Sequence, residues 1–305
     1  MSFQITILGS SGALPAYGRY PSAQLVSIEN KHFLVDCGEA VQMQLLKFQV
    51  HFHRINHILI SHLHGDHYLG LMGLLFTMHL QRRTNDLHLH GPPGLDEIVT
   101  VQLRHAQSVP GYRIIYHCFD HESPAVIFED DLLAVETIPL IHRIPCCGFL
   151  FREKTKPRRI DKDTLPAGLK LQQLAALKRG EDVLDDAGQL LHRNKDLTLE
   201  PRKSRSYAYC SDTAYNEGML SQIAGVDLLY HEATFGEDER AKAEATCHST
   251  AAQAATIASK ANASQLLLGH YSARYKDLEP ILREARQVFP NSRLSIEGEI
   301  YSLQE

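Results

Sequence analysis

The sequence predicts an α/β (α+β layered) fold on three observations. Short apolar, β-branched runs alternate with stretches of helical periodicity. Most of the runs end in Gly, Asp, Ser or His, the residues of turns and strand-end sites. The mixture of strands and helices with crossovers between them indicates layered sheets and helices. In chain order the predicted strands are QITIL, LVSI, FLVD, HILIS, LHLHG, RIIYH, LLAVETI, YAYCS, DLLYH and QLLLGH. Helical periodicity covers 40–50, 68–81, 94–107, 215–223, 250–261 and 278–288. Thr250 and Gln253 have the spacing of a capping box at the start of one of these helices.

The 305 residues allow one large domain or two small ones, and 44% hydrophobic with 22% charged residues excludes collagenous or wholly disordered classes. The longest strongly apolar run, 69–80, is shorter than the roughly 20 residues of a membrane span. MSFQITILGS has no basic region before a long apolar stretch, so no signal peptide is expected. Cysteines 37, 118, 146, 147, 210 and 247 show neither CxxC spacing nor a disulfide-dense pattern, and the expected location is the cytoplasm.

A net charge of −5 argues against a chain coated in basic residues. The balance is uneven, however. Residues 152–205 carry 14 Lys/Arg against 9 Asp/Glu, a surplus of 5, and the remainder carries 17 against 27, a deficit of 10. The basic stretch also breaks the strand–helix alternation with Pro157, Pro166, Gly168, Gly180 and Gly188. It reads as an inserted arm with an anionic partner, and a solvated surface is the competing reading. Within it, 169–178 has the pattern of a short helix.

Eighteen histidines direct the search for chemistry. HILISHLHGDHYLGLMGLL runs an apolar strand into His62, His64, Asp66 and His67, then into an apolar helix. His62 and His64 share a side, and Gly65 permits the bend that brings Asp66 and His67 round. Burying four titratable groups there without a ligand would be costly. Imidazole and carboxylate together suit Zn²⁺, and Mn²⁺ or Fe remain compatible. One turn cannot fill two coordination spheres. Strand-end His142, Asp212 and His270 are the further candidates, each of which read alone is as well explained by turn capping.

Through its HxHxDH turn the chain resembles the metallo-β-lactamase superfamily. Through LGSSGALP, LVDCGE, SHLHGDH, CSDT, HEATF, HST and GHYSARY together it resembles the ribonuclease Z family over nearly its whole length. The resemblance implies a metallo-β-lactamase αβ/βα four-layer sandwich, a single domain over 1–305, with a protruding basic arm at about 152–204 that grips tRNA. It implies a homodimer acting on precursor tRNA, with no membrane association, and two Zn²⁺ per subunit. One ion would be held by His62, His64, His142 and Asp212, the other by Asp66, His67, Asp212 and His270. Asp66 would accept the proton of the attacking water. His248 would stabilise the transition state and protonate the departing oxygen, with Glu232 orienting it. Asp36 would support the centre from outside, and His231 would be structural.

The implied reaction removes 3′ trailers from tRNA precursors after the discriminator nucleotide, leaving a tRNA 3′-hydroxyl and a 5′-phosphate trailer. A pair of ions roughly 3.5–4 Å apart suits such a displacement because it activates water and stabilises both oxygens. Arg274 is a candidate phosphate clamp with a solvent-facing side chain as the competing reading. Ser249 and Thr250 are candidate substrate contacts, and the loop 9–12 is a candidate phosphate cradle. The arm keeps small residues and LKRGE but lacks the family's Gly-Pro order at its tip. The enzyme alternative is another phosphodiesterase or arylsulfatase of the superfamily, which needs no basic arm. A non-catalytic RNA-binding relative would have lost a ligand or His248.

Overall fold

A computed structural model describes residues 2–185 and 187–304. Two mixed seven-stranded sheets face one another. The first runs, in spatial order, Ile300–Ser302, Phe3–Gly9, Ala23–Ile28, Lys31–Val35, Ile55–Leu59, Leu87–Gly91 and Ile114–Cys118. The second runs Ser292–Leu294, Leu266–Gly269, Leu228–Glu232, Ser206–Cys210, Cys147–Glu153, Leu133–Pro139 and Val126–Glu129. In each sheet four neighbouring strands are parallel and the rest antiparallel.

Three buried clusters explain the layering. Aromatics dominate the seam between the sheets: Phe3, Phe33, Phe149, Phe151, Tyr207, Tyr209 and Tyr230. On the outer face of the first sheet, Leu71, Leu74, Leu75 and Met78 of helix Leu71–Leu80 and Leu95 and Val99 of helix Leu95–His105 meet Leu25, Leu34 and Ile58. The outer face of the second sheet is covered by helices Ala251–Lys260 and Glu279–Val288, whose alanines and Ile257, Ile281 and Leu282 pack on Leu229 and Leu266. Strands buried on both faces read as continuous apolar runs, which is why DLLYH and QLLLGH do not alternate. The result is an αβ/βα four-layer sandwich.

Each predicted strand falls on an observed one. Helix 215–223 does not form. It shrinks to one 3₁₀ turn, Glu217–Met219, because Asn216 caps it at once and Gly218 brings no helical preference. The helix at 169–178 appears as Leu171–Arg179. With the ladders Arg159–Ile160/Thr198–Leu199 and Val183–Leu184/Leu190–His192, it surrounds a small cluster of Leu177, Val183 and Leu197. No described helix is long and apolar enough to cross a membrane.

Candidate metal centre

The parallel strands of both sheets deliver their C-terminal ends to one rim of the sandwich, where open α/β sheets place ligands. Lys31–Val35 delivers Asp36, and Ile55–Leu59 delivers the 62–67 turn. Ser206–Cys210, Leu228–Glu232 and Leu266–Gly269 deliver Asp212, Glu232 and His270, while His142 follows Leu133–Pro139. Asp36, Asp212 and His270 turn there with φ of 57°, 54° and 56°, left-handed values that non-glycine residues adopt at a cost.

Asp212 sits between two groups of donors. Its Oδ2 lies 3.6 Å from His62 Nε2 and 3.8 Å from His142 Nε2. His64 Nδ1 approaches the same two rings at 3.0 and 3.1 Å. Its Oδ1 lies 3.2 Å from His67 Nε2 and 3.1 Å from His270 Nε2, and Asp66 Oδ2 reaches those nitrogens at 3.4 and 3.3 Å. His62, His64, His142 and Asp212 therefore form one set with ligand atoms within 4.8 Å of each other, and Asp66, His67 and His270 form another.

Outer partners fix which nitrogen of most rings points inward. His67 Nδ1 meets Asp36 Oδ2 at 2.7 Å, and that carboxylate also accepts from Ser61 and the buried Tyr209 hydroxyl. His142 Nδ1 donates to the Cys247 carbonyl at 3.1 Å. His270 Nδ1 lies 2.9 Å from Thr234 Oγ1, and His62 Nδ1 lies 3.0 Å from Ser61 Oγ. Asp66 Oδ2 accepts from the Ala13 N–H at 2.7 Å.

The electrostatics call for a cation. Burial opposes ionisation of Asp212, yet His270, His67 and His62 hold its carboxyl far below the usual range. Burial likewise opposes Asp66, and His67 and His270 hold it well down. His67 is pushed well above its ordinary value, against burial, by Asp212, Asp66 and Asp36. Burial lowers His62, His64 and His142, leaving them neutral lone-pair donors. His67 Nε2 is buried with no aligned hydrogen-bond partner. A buried unpaired nitrogen among carboxylates fits a divalent ion as their countercharge.

Beside this centre, Glu232 is fully buried and accepts from His248 Nδ1 at 2.8 Å, Thr213 N at 2.7 Å, Ser249 N at 3.1 Å and the Thr234 hydroxyl. These bonds offset the desolvation of its charge. Burial would lower His248, but Glu232 raises it to about 9. The His248 ring lies 5.1 Å from that of His142 and 5.4 Å from that of His270.

The outer candidates are placed differently. Arg274 pairs with Glu239 and lies 5.6 Å over Phe235. The Ser249 hydroxyl donates to Thr213 O at 2.7 Å. Thr250 forms the capping box with Gln253 and donates to Glu237 at 2.8 Å. Both are fully buried, with their hydroxyls engaged inward. In the opening loop, Ser10 N donates to Glu297 and Ser11 N to Tyr20 O, so those donors serve the loop itself. His231 is buried, with Nδ1 on the Glu232 carbonyl. Sequence reasoning did not single out Ala13, Thr234, Tyr209 or the Cys247 carbonyl. HEATF and LGSSGALP contain two of them, but no spacing reveals what a backbone N–H or a hydroxyl touches.

Comparison with known proteins follows the same lines. A family model described as Anti-Pycsar protein Apyc1 matches residues 3–155, which include the 62–67 turn and His142 and stop before Asp212, His248 and His270. Ribonuclease Z of Bacteroides fragilis is 47% identical over 302 residues, covering 99% of both chains. Ribonuclease Z of Cytophaga hutchinsonii is 47% identical over 298 residues, covering 98% of this chain and 95% of that one. Among solved structures, the short form of human tRNase Z superposes with a TM-score of 0.72 at 26% identity, covering 99% of this chain and 100% of that one. The metallo-beta-lactamase fold protein YhfI of Bacillus subtilis gives 0.69 at 19% identity over 99% of each chain, which speaks to the fold alone. With the fold shared, and with identity of that level across the full length, the chain belongs to the ribonuclease Z family.

Proposed function

We propose that the protein is a metal-dependent endoribonuclease that cuts precursor tRNA after the discriminator nucleotide, releasing the 3′ trailer with a 5′-phosphate and leaving a tRNA 3′-hydroxyl. One observation carries the reading: Asp212 faces two donor sets at once, directly beside a buried Glu232–His248 pair. His62, His64, His142 and Asp212 would hold one divalent ion, and Asp66, His67, His270 and Asp212 the other. Zn²⁺ suits that donor set, and Mn²⁺ or Fe would also fit. Bound there, such a pair supplies water activation and charge stabilisation of an in-line phosphoryl displacement.

The chain's own groups do the rest. Ala13 N–H, His67 and His270 all converge on Asp66 Oδ2, which leaves Oδ1 to orient the attacking water. Held down by His67 and His270, the Asp66 carboxylate is ionised and so available to accept the attacking water's proton. His248, its Nδ1–H held by Glu232, presents Nε2–H to the departing 3′ oxygen, and its raised pKa keeps that proton in place at neutral pH.

The arm at about 152–204 is the exosite in this reading, with Lys and Arg contacting tRNA phosphates away from the cut. In this reading Ser249, Thr250 and Arg274 contact substrate once their bonds to Thr213, Glu237 and Glu239 are exchanged for it. A homodimer is supported by the exposed apolar side chains Met43, Leu46, Leu69 and Leu80, on or beside helices Val41–Lys47 and Leu71–Leu80. Six cysteines without a disulfide suit the cytoplasm.

The test is cleavage of a 3′-extended precursor tRNA by metal-loaded protein, with the cut position mapped and a chelator control. Metal-dependent cutting beside the discriminator base is expected. Hydrolysis of a small phosphate or sulfate ester with no cutting of the precursor would overturn the tRNA assignment in favour of a different superfamily hydrolase.

A further inference from the structure

Asp66 and His270 both lean on the opening loop of the chain, and a carboxylate close to the C-terminus holds that loop. Ala13 N–H donates to Asp66 Oδ2 at 2.7 Å. A Cβ on Gly12 would stand 2.7 Å from Cε1 of His270, so the loop backbone rests directly on that ring. Ser11 and Gly12 pair in parallel with Tyr271 and Ser272, the residues after His270, and Tyr271 N donates to Ser10 O at 2.9 Å. A single short stretch of backbone thus touches two side chains that arrive from different sheets.

The loop is not a relaxed one. Ala13 and Tyr17 have φ of 60° and 54°, left-handed values that such residues keep only where the surroundings over-determine them. Glu297 supplies fixing contacts. Its Oε1 accepts from Ser10 N at 3.2 Å, Ser10 Oγ at 3.3 Å and Tyr20 N at 2.7 Å, so one oxygen ties together the two ends of the loop. Its Oε2 accepts from Gln44 Nε2 at 2.9 Å, and that amide also donates to Leu8 O at 2.7 Å. The segment carrying Glu297 is itself anchored to both sheets: Ser295 N donates to Leu268 O at 2.8 Å, and Gly298 N donates to Ile7 O at 2.8 Å. Burial raises the Glu297 carboxyl, and the N–H groups of Tyr20 and Ser10 draw it back.

We propose that Glu297 is a positioning residue for the metal centre, setting Asp66 and His270 through the loop 10–20; the inference rests on the metal-dependent phosphodiester cleavage proposed above. Without its carboxylate the loop ends come free, and the Ala13 N–H no longer holds Asp66 Oδ2 in place. The oxygen that orients the attacking water then drifts, and a misplacement on the order of 1 Å costs about 10²-fold in rate. The other donor set has its own supports. His62 lies against Ser61 Oγ, His142 against the Cys247 carbonyl, and His64 against both of those rings. Loosening the loop should therefore weaken one ion and spare its neighbour.

The test measures zinc affinity, by competition with a chromophoric chelator, and hydrolysis of bis-p-nitrophenyl phosphate. The full-length wild type is compared with Glu297→Ala, Glu297→Asp and Glu297→Gln, and circular dichroism confirms that each folds. Glu297→Ala should lower kcat by roughly 10–100-fold with KM unchanged. One zinc-binding step should weaken by roughly 10–100-fold while the other keeps its wild-type affinity. Glu297→Asp keeps the charge but falls one methylene short of the loop, so it should show the same split and serves where the Ala variant does not fold. Glu297→Gln keeps the length and the Oε1 acceptor and should recover most of the loss. Wild-type kcat and wild-type zinc affinity in folded Glu297→Asp would overturn the proposal, and so would equal weakening of both zinc steps, the mark of a merely structural role. The zinc titration reads the role whatever ester is cut. A wild type that leaves precursor tRNA intact while the zinc steps split as expected keeps this role standing as the tRNA reading fails.

Discussion

Replacing Glu232 with Gln isolates the proton held at His248. The carboxylate is fully buried and sits 2.8 Å from His248 Nδ1. Burial alone would lower the imidazole, and Glu232 raises it to about 9. Against an ordinary value near 6.5, that difference corresponds to about 3 kcal/mol in favour of the protonated ring. The sign follows from the direction. A histidine raised on folding contributes stability that is fully present below about pH 6.5 and is lost as pH rises through its folded value. Activity that needs the Nε2–H disappears over the same alkaline range. Divalent ions at the neighbouring centre add positive charge and draw the limit downward, so the alkaline limb of the loaded enzyme lies at or below about 9. Glu232→Gln removes the countercharge while keeping the shape, and the limb should move acidward by about one to two pH units. Turnover of a 3′-extended precursor tRNA should fall more at about pH 8 than at about pH 6, by roughly 2–10-fold at the higher pH, the loss of protonated ring that such a shift from about 9 produces. The assay is kcat against pH, with metal content and circular dichroism measured on each preparation. A folded, fully loaded variant whose alkaline limb stays in place would refute the proton-holding role of Glu232.

Two further perturbations test other parts of the account. Thr234→Val removes the hydroxyl that links His270 Nδ1 to Glu232, and metal affinity should weaken by roughly 10–100-fold, with Thr234→Ser restoring it; unchanged affinity in the Val variant would count against the link. Deleting the arm should weaken tRNA binding and sparing of a small phosphodiester substrate is expected, because its cluster of Leu177, Val183 and Leu197 is its own; equal loss of both activities would contradict an exosite.

Much of the site was legible because metal chemistry leaves a dense local signal. His62, His64, Asp66 and His67 fall within six residues, and a strand-end His or Asp after an apolar run marks His142, Asp212 and His270. What brings them together was not legible. His142 reaches His64 across 78 positions because strand order in two sheets places both at one rim. The left-handed turns at Asp36, Asp212 and His270 have no glycine to announce them. Ala13 acts through a backbone N–H and Cys247 through a carbonyl, groups that every residue of their kind carries. Strand Cys147–Glu153 was missed although it lies inside the second sheet, because its apolar run ends in the basic residues that open the arm.

The central claim is that one carboxylate couples two metal sites beside a separate proton donor. Its most direct test measures metal content and precursor-tRNA cleavage on the same preparations of Asp212→Ala and His248→Ala. Asp212→Ala should lose metal and cleavage together, since Asp212 faces both donor sets. His248→Ala should keep the wild-type metal content and lose about 10²–10⁴-fold in turnover. Wild-type metal content in Asp212→Ala, or wild-type turnover in His248→Ala, would contradict the account.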